Sequence, residues 1–390
     1  MKRDLRSSTQ KPLIALVVAA ACICLCVATD ARSDRFPHLM WRITDEELEF
    51  PLGAITDVGV DGDMTVYLLD RQVKEVRRIT ADGDELPPLG REGEGPGEFM
   101  HPALVSGVPS GGCVVVQDFY APAVCLLPAG HPCPAPDLAL IRDLFGTTLF
   151  MATARSDEKG RLLVVATTTE IPYDKTRPAA DLGSATSVFR VQPGEKQATV
   201  LFTNSQSLGD ERTVRFGNIG FYPIRSWDVH PTGRLIYADP EGRSRVLIGH
   251  PADGPVEVLD LPAVSGDEEG IARRARAENR SPDSYPRIAD VQWIGSDRFL
   301  IKPVAADPGV EIQQTGIVEL FDTTGSSLGR RTIVCDYDPD QDTLFQRGGI
   351  IVIIKSGRSA LLASFRTKPG EPVVQFEDEI IVEAYDLTRQ

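Results

Sequence analysis

Gly62-Asp-Met-Thr-Val-Tyr-Leu-Leu-Asp70 reads as a tight turn followed by a short apolar strand that ends on an aspartate. Five later stretches share that form: Gly112-Cys-Val-Val-Val-Gln-Asp118, Gly160-Arg-Leu-Leu-Val-Val-Ala166, Gly233-Arg-Leu-Ile-Tyr-Ala-Asp239, Gly295-Ser-Asp-Arg-Phe-Leu-Ile-Lys302 and Gly349-Ile-Ile-Val-Ile-Ile-Lys355. Around the first copy, an alternating strand over 54–60 precedes the turn and another over 73–80 follows the aspartate. The turn Asp82-Gly83 then leads into a fourth strand near 86–89. Four strands joined by tight turns make one antiparallel meander. Such a sheet cannot cover both of its faces alone, whereas radial stacking of copies spaced by roughly forty to fifty residues covers them all. The predicted fold is all-β, a six-bladed β-propeller of four-stranded antiparallel blades spanning 32–390.

The spacing between copies widens twice, which places insertions there. Residues 168–184 read as a polar loop. Residues 266–280, with acidic Glu268 and Glu269 ahead of Ile271, Ala272, Ala275 and Ala277, read as one short helical insertion. A ring left open would expose two raw sheet edges. Residues 48–52 and 379–385 both read as strands outside the regular copies, so a terminal strand is expected to complete a blade begun at the other end of the chain.

The N-terminus carries Lys2, Arg3, Arg6 and Lys11, then an apolar run over 12–28 and small residues. That order is expected of a secretory signal peptide over 1–31, with periplasmic or extracellular export. Retained as an uncleaved anchor, the same run would tether the chain to a membrane. No later stretch approaches spanning length. The mature chain would keep Cys113, Cys125, Cys133 and Cys335, an even set compatible with disulfides in an oxidising compartment. Cys113 and Cys125 lie on successive apolar runs, which permits a cross-strand pair and leaves Cys133 with Cys335. A net charge of -15 and a pI near 4.9 exclude a surface built for nucleic-acid phosphates.

Gly90-Arg-Glu-Gly-Glu-Gly-Pro-Gly-Glu-Phe99, followed by His101-Pro102, resembles the junction between blades of bacterial six-bladed propellers of the NHL-like superfamily, many of them exported. Asp70, Asp118 and Asp239 resemble the aspartate that ends the second strand of NHL repeats. Glycines at 93, 95 and 97 permit positive φ and Pro96 fixes one dihedral, so the chain can cross between blades with Phe99 plugged between the sheets.

No G-x-S-x-G elbow, P-loop, H-E-x-x-H or EF-hand loop occurs. The aspartates at 336, 338, 340 and 342 lack the central glycine and closing glutamate of a calcium loop and read as an acidic turn. In a propeller the first strand of each blade lines the axis. Alignment of those strands gives Asp57, Arg225, Asp228, His230, Asp290 and Gln292 as channel-lining candidates. Asp228 and His230 share a face by alternation, although a turn histidine is the plainer reading of His230. The absence of a recognisable catalytic set favours a binding or scaffolding module for a protein or small-molecule ligand, with no cofactor. The alternative is a metal-dependent hydrolase or lyase of lactonase type at the channel, for which calcium or another divalent cation is the ion that the carboxylates would attract.

Overall fold

The computed structural model describes residues 36–49, 52–117, 124–126, 132–133, 148–156, 161–169, 183–191, 199–207, 227–230, 232, 234–238, 244–249, 257–262, 268–277, 279, 281–282, 287–303, 316–333, 335, 337–338, 341–357 and 380–389. The expected signal peptide, Arg225, Asp118, Asp239 and most of the 168–184 loop lie outside the described residues.

The chain enters through β1 (His38–Thr44) and then runs through five four-stranded antiparallel meanders. The first holds β2 (Ile55–Val60), β3 (Val66–Asp70), β4 (Glu75–Ile79) and β5 (Glu85–Leu89). The second holds β6 (Pro102–Gly107), β7 (Cys113–Gln117), β8 (Val124–Leu126) and β9 (Pro132–Cys133). The third is β10 (Thr148–Ser156), β11 (Leu162–Thr169), β12 (Gly183–Val191) and β13 (Thr199–Ser207), and the fourth β14 (Trp227–Val229), β15 (Leu235–Ala238), β16 (Arg245–Gly249) and β17 (Glu257–Asp260). After helix α1 (Glu268–Ala277) comes the fifth, β18 (Ile288–Ile294), β19 (Arg298–Pro303), β20 (Gly316–Asp322) and β21 (Ser327–Ile333). A sixth sheet joins β22 (Thr343–Arg347), β23 (Ile350–Ile354) and β24 (Ile381–Asp386) to β1, in the order β1-β24-β23-β22. The fold is all-β and propeller-like, and each of the six repeat copies supplies the second strand of one sheet.

The second strands β3, β7, β15 and β23 are buried at every residue because both faces of their sheets are covered. Val66 and Leu68 of β3 pack against Ile350, Val352 and Ile354 of β23, while Tyr67 and Leu69 pack on Val105, Cys113 and Val115 of the second sheet. In β23, Ile351 and Ile353 turn the other way, onto Leu300, Val318 and Leu320 of the fifth sheet. Phe299 and Ile301 of that sheet meet Ile236, Ala238, Val246 and Ile248 of the fourth. Alternate residues of one strand thus serve two different cores, each burial contributing roughly 1.5–3 kcal/mol per large side chain.

Closure differs in place from the sequence expectation. The N-terminal strand that pairs with β24 is His38–Thr44, in register from His38 opposite Asp386 to Thr44 opposite Ile381, and Leu48, Glu49 and Leu52 lie outside any strand. The reason is local. Glu47 turns back to accept hydrogen bonds from the Thr44 N–H at 2.8 Å and the Thr44 hydroxyl at 3.2 Å, which ends β1 in a single 3-10 turn over Asp45–Glu47.

Two resemblance-derived features prove structural. Phe99 is fully buried between the first and second sheets, among Tyr67, Leu89 and Val105. Gly90 and Gly97 adopt φ of 75° and 80°, and a Cβ at Gly90 would lie 2.3 Å from the Phe99 ring. Gly95 does not need positive φ, and its N–H donates to Glu98 at 2.8 Å. That bond, followed by Arg91, holds the Glu98 carboxyl below the usual carboxylate range. Asp70 is likewise buried and accepts hydrogen bonds from the N–H groups of Gly53 at 2.7 Å, Ala54 at 3.2 Å, Gln72 at 3.0 Å and Val73 at 3.4 Å. It locks the entry to β2 onto the β3–β4 turn. Burial pushes its carboxyl up, and those amides oppose the shift.

The cross-strand bond expected between Cys113 and Cys125 does not form. Register sets Cys113 opposite Leu126 and Val114 opposite Cys125, so the two cysteines fall on opposite faces of the sheet. Cys113 is a buried thiol outside any disulfide, with its pKa pushed up by burial, and Cys335 takes part in no disulfide either, which removes the pairing of Cys133 with Cys335.

Removing the Asp70 carboxylate leaves buried amides without acceptors. Asp70→Ala is expected to cost about 2–4 kcal/mol in urea denaturation, and Asp70→Asn, which keeps one acceptor oxygen, clearly less.

Candidate functional site

Four innermost strands, β2, β6, β10 and β18, share one irregularity. The pairing of β2 with β3 shifts register between Ile55 and Asp57, β6 with β7 between Pro102 and Leu104, β10 with β11 between Met151 and Thr153, and β18 with β19 between Ile288 and Asp290. The extra residue is small each time: Thr56, Ala103, Ala152 and Ala289. A bulge re-aims the side chains beyond it, and here the residue just past it is Asp57 in one sheet and Asp290 in another.

Asp57 is nearly fully buried, and both of its oxygens are engaged. Oδ2 accepts the Val105 N–H of β6 at 3.0 Å, and Oδ1 faces Arg347 Nη2 of β22 at 3.2 Å. A single carboxylate therefore touches the sixth, first and second sheets. Asp228 does the same elsewhere, its Oδ2 accepting the Trp293 N–H of β18 at 2.9 Å and its Oδ1 lying 3.4 Å from Arg155 Nε of β10. It links the third, fourth and fifth sheets. Between the second and third, the Ser106 hydroxyl accepts the Ser156 N–H at 2.8 Å.

Arg155 and Arg347 converge as well. Burial and then the positive charge of Arg347 pull the Arg155 guanidinium down to about 10, with Asp228 and Asp57 opposing. Two arginines and two aspartates from four sheets thus form one charge-balanced cluster on the inner strands. The arginine side chains keep 17% and 21% of their surface exposed, so the cluster is not wholly sealed from solvent.

Asp290 accepts a hydrogen bond from Gln292 Nε2 at 3.0 Å, and Lys302 stands directly opposite it across β18 and β19. Gln292 Oε1 is buried without a hydrogen-bond partner among the described residues. His230 directly follows β14. Its Nδ1 accepts the Thr232 N–H at 3.1 Å and contacts that hydroxyl, and its ring stands edge-on to Trp293 at 5.4 Å. This is a turn histidine at the end of β14. In the acidic turn, Asp342 is engaged by Lys355 Nζ at 3.1 Å and by the Ser356 and Asp338 N–H groups. No cluster of three or more His, Cys, Asp or Glu positioned for a metal occurs among the described residues.

The structure thus places Asp57 and Asp228 in one cluster, Asp290 and Gln292 as an adjacent pair on β18, and His230 in a turn. Sequence reasoning missed Arg155, Arg347 and Ser106. The run Ala152-Thr153-Ala154-Arg155 carries the alternation that reveals Arg155. Arg347 precedes the Gly348-Gly349 turn on a strand that the repeat search, keyed to glycine, did not reach.

No protein-family profile and no curated protein match the sequence. Solved structures similar to it include a member of the DUF4221 family from Bacteroides vulgatus, at 10% identity over 91% of this chain and 99% of that one, with a TM-score of 0.48. Another is the calcium-binding protein regucalcin from Agrobacterium tumefaciens, at 12% identity over 88% and 94%, TM-score 0.41. A third is a gluconolactonase from Xanthomonas campestris, at 10% identity over 86% of each chain, TM-score 0.39.

If Asp57 acts as a staple between sheets, Asp57→Asn is expected to lower stability by about 2–4 kcal/mol. In a double-mutant cycle with Arg347→Met, a coupling of at least about 1 kcal/mol, read from urea midpoints, marks the pair as linked.

Proposed function

We propose that this chain is an exported six-bladed β-propeller of the NHL-like kind, acting as a binding module for a small anionic ligand at the axial cluster. Support for six blades comes from contacts that join each four-stranded sheet to the next and the sixth back to the first. Support for export comes from the charged and apolar order of residues 1–31, and no helix among the described residues is long and apolar enough to cross a membrane.

One observation carries the ligand class. Arg155 pairs with Asp228 and Arg347 with Asp57 in one cluster, the positive charge of Arg347 lowers the Arg155 guanidinium, and Arg347 Nε has no hydrogen-bond partner among the described residues. Two guanidiniums kept together in a half-buried setting gain from an anion that bridges them, and carboxylates and phosphates match their planar donors. Asp57 and Asp228 already satisfy both of their oxygens, which leaves them poorly placed to give up an amide and a guanidinium for a metal ion.

A metal-dependent hydrolase or lyase at the same axis is the second reading. Its favouring observation is Asp290 beside the unpartnered Gln292 Oε1, a pair of hard oxygen donors. Lys302 opposite Asp290 opposes it, because a fixed ammonium repels a cation.

Thermal-shift titrations with citrate, acetate and inorganic phosphate test the first reading. The midpoint is expected to rise with anion concentration in the wild type, and the rise is expected to shrink at least about tenfold in apparent affinity in Arg347→Gln. An identical response in both proteins would contradict it. Elemental analysis of the same protein separates the readings. Stoichiometric calcium or zinc that is lost in Asp290→Asn, together with hydrolysis of simple lactones, would transfer the function to the second.

A further inference from the structure

We infer that Cys125 and Cys133 form a disulfide that ties the outermost strand of the second sheet to its neighbour. Antiparallel register sets Cys125 of β8 directly opposite Cys133 of β9. Residues so placed have Cα atoms about 4.5 or 5.5 Å apart, and both values lie in the range of roughly 4.4–6.8 Å that a disulfide spans. Directly opposed positions also share one face of the sheet, unlike Cys113 and Cys125. The remaining cysteines are committed elsewhere: Cys113 sits in the apolar core between the first and second sheets, and Cys335 packs against the core between the fifth and sixth.

The strand itself needs such a tie. β9 consists of Pro132 and Cys133 alone. Proline has no N–H to give to a ladder, and a two-residue edge strand is held by too few hydrogen bonds to resist fraying. A covalent link at its second residue fixes the end of the sheet at the outer rim.

The bond forms by exchange. The thiolate of one cysteine attacks a disulfide carrier, either an oxidoreductase or a low-molecular-weight disulfide, and the second thiolate displaces the carrier's sulfur. The two electrons and the two protons given up by the cysteines leave with the carrier, as the dithiol of an oxidoreductase or as two thiols of a low-molecular-weight disulfide. The inference rests on the export reading, since a reducing cytosol keeps thiols reduced.

The test uses the full chain with its own N-terminal segment, recovered by cell fractionation, alkylated without reduction, digested and mapped by mass. The expected product from the exported fraction is a linked Cys125–Cys133 peptide about 2 Da lighter than the reduced pair, with Cys113 and Cys335 alkylated after denaturation. Alkylated Cys125 and Cys133 in exported protein would overturn the disulfide and leave export standing. Protein confined to the cytoplasm would overturn export. That material, treated with oxidised glutathione, then decides the disulfide: an internal bond supports it, and separate glutathione adducts on both cysteines overturn it.

Discussion

A strand such as Ile350–Ile354 has no polar side chain on either face, so it can exist in water only with a packed neighbour on each side. The same holds for Val66–Asp70 and for Cys113–Gln117, whose residues are all buried. A linear stack of such sheets always leaves two apolar faces bare at its ends. Joining the ends removes both, and the pairing of His38–Thr44 with Ile381–Asp386 supplies that join, because Trp41 and Ile43 enter the core shared by the sixth and first sheets. Loss of this pairing would cost far more than its own hydrogen bonds, since the faces behind it would open together.

The polar chemistry at the inner strands serves the same closure. Asp57 and Asp228 each hold a backbone N–H of the following sheet and an arginine of the preceding one. Neighbouring sheets meet at their inner strands, so directional hydrogen bonds there set the angle between them. In a chain of net charge -15, the two arginines offset the two buried aspartates at this point.

Much of the fold was legible because its signals are local. Turn glycines followed by runs of three to five apolar residues marked every second strand, the helix announced itself through Glu268 and Glu269, and the glycine-rich junction placed Phe99 correctly. The closing strand was misplaced because a single acidic side chain, Glu47, decides where β1 stops, and nothing in periodicity reports that bond. The cysteine pairing failed for a related reason: a shift of one residue in register reverses the face, and register between β7 and β8 is set by pairing rather than by composition. Of the site, the aspartates were visible through alternation and the arginines were not. The small residues at 56, 103, 152 and 289 were the unread clue, since a bulge repeated at the same point of several inner strands fixes which side chains face the axis.

Closure by the N-terminal strand is tested most directly by amide hydrogen exchange across residues 38–44. A sealed ring requires those amides to exchange only with global unfolding, at the protection of Ile350–Ile354 in the same sheet and with the same dependence on denaturant. Exchange of 38–44 at rates of a free terminus, while 350–354 stays protected, would contradict it.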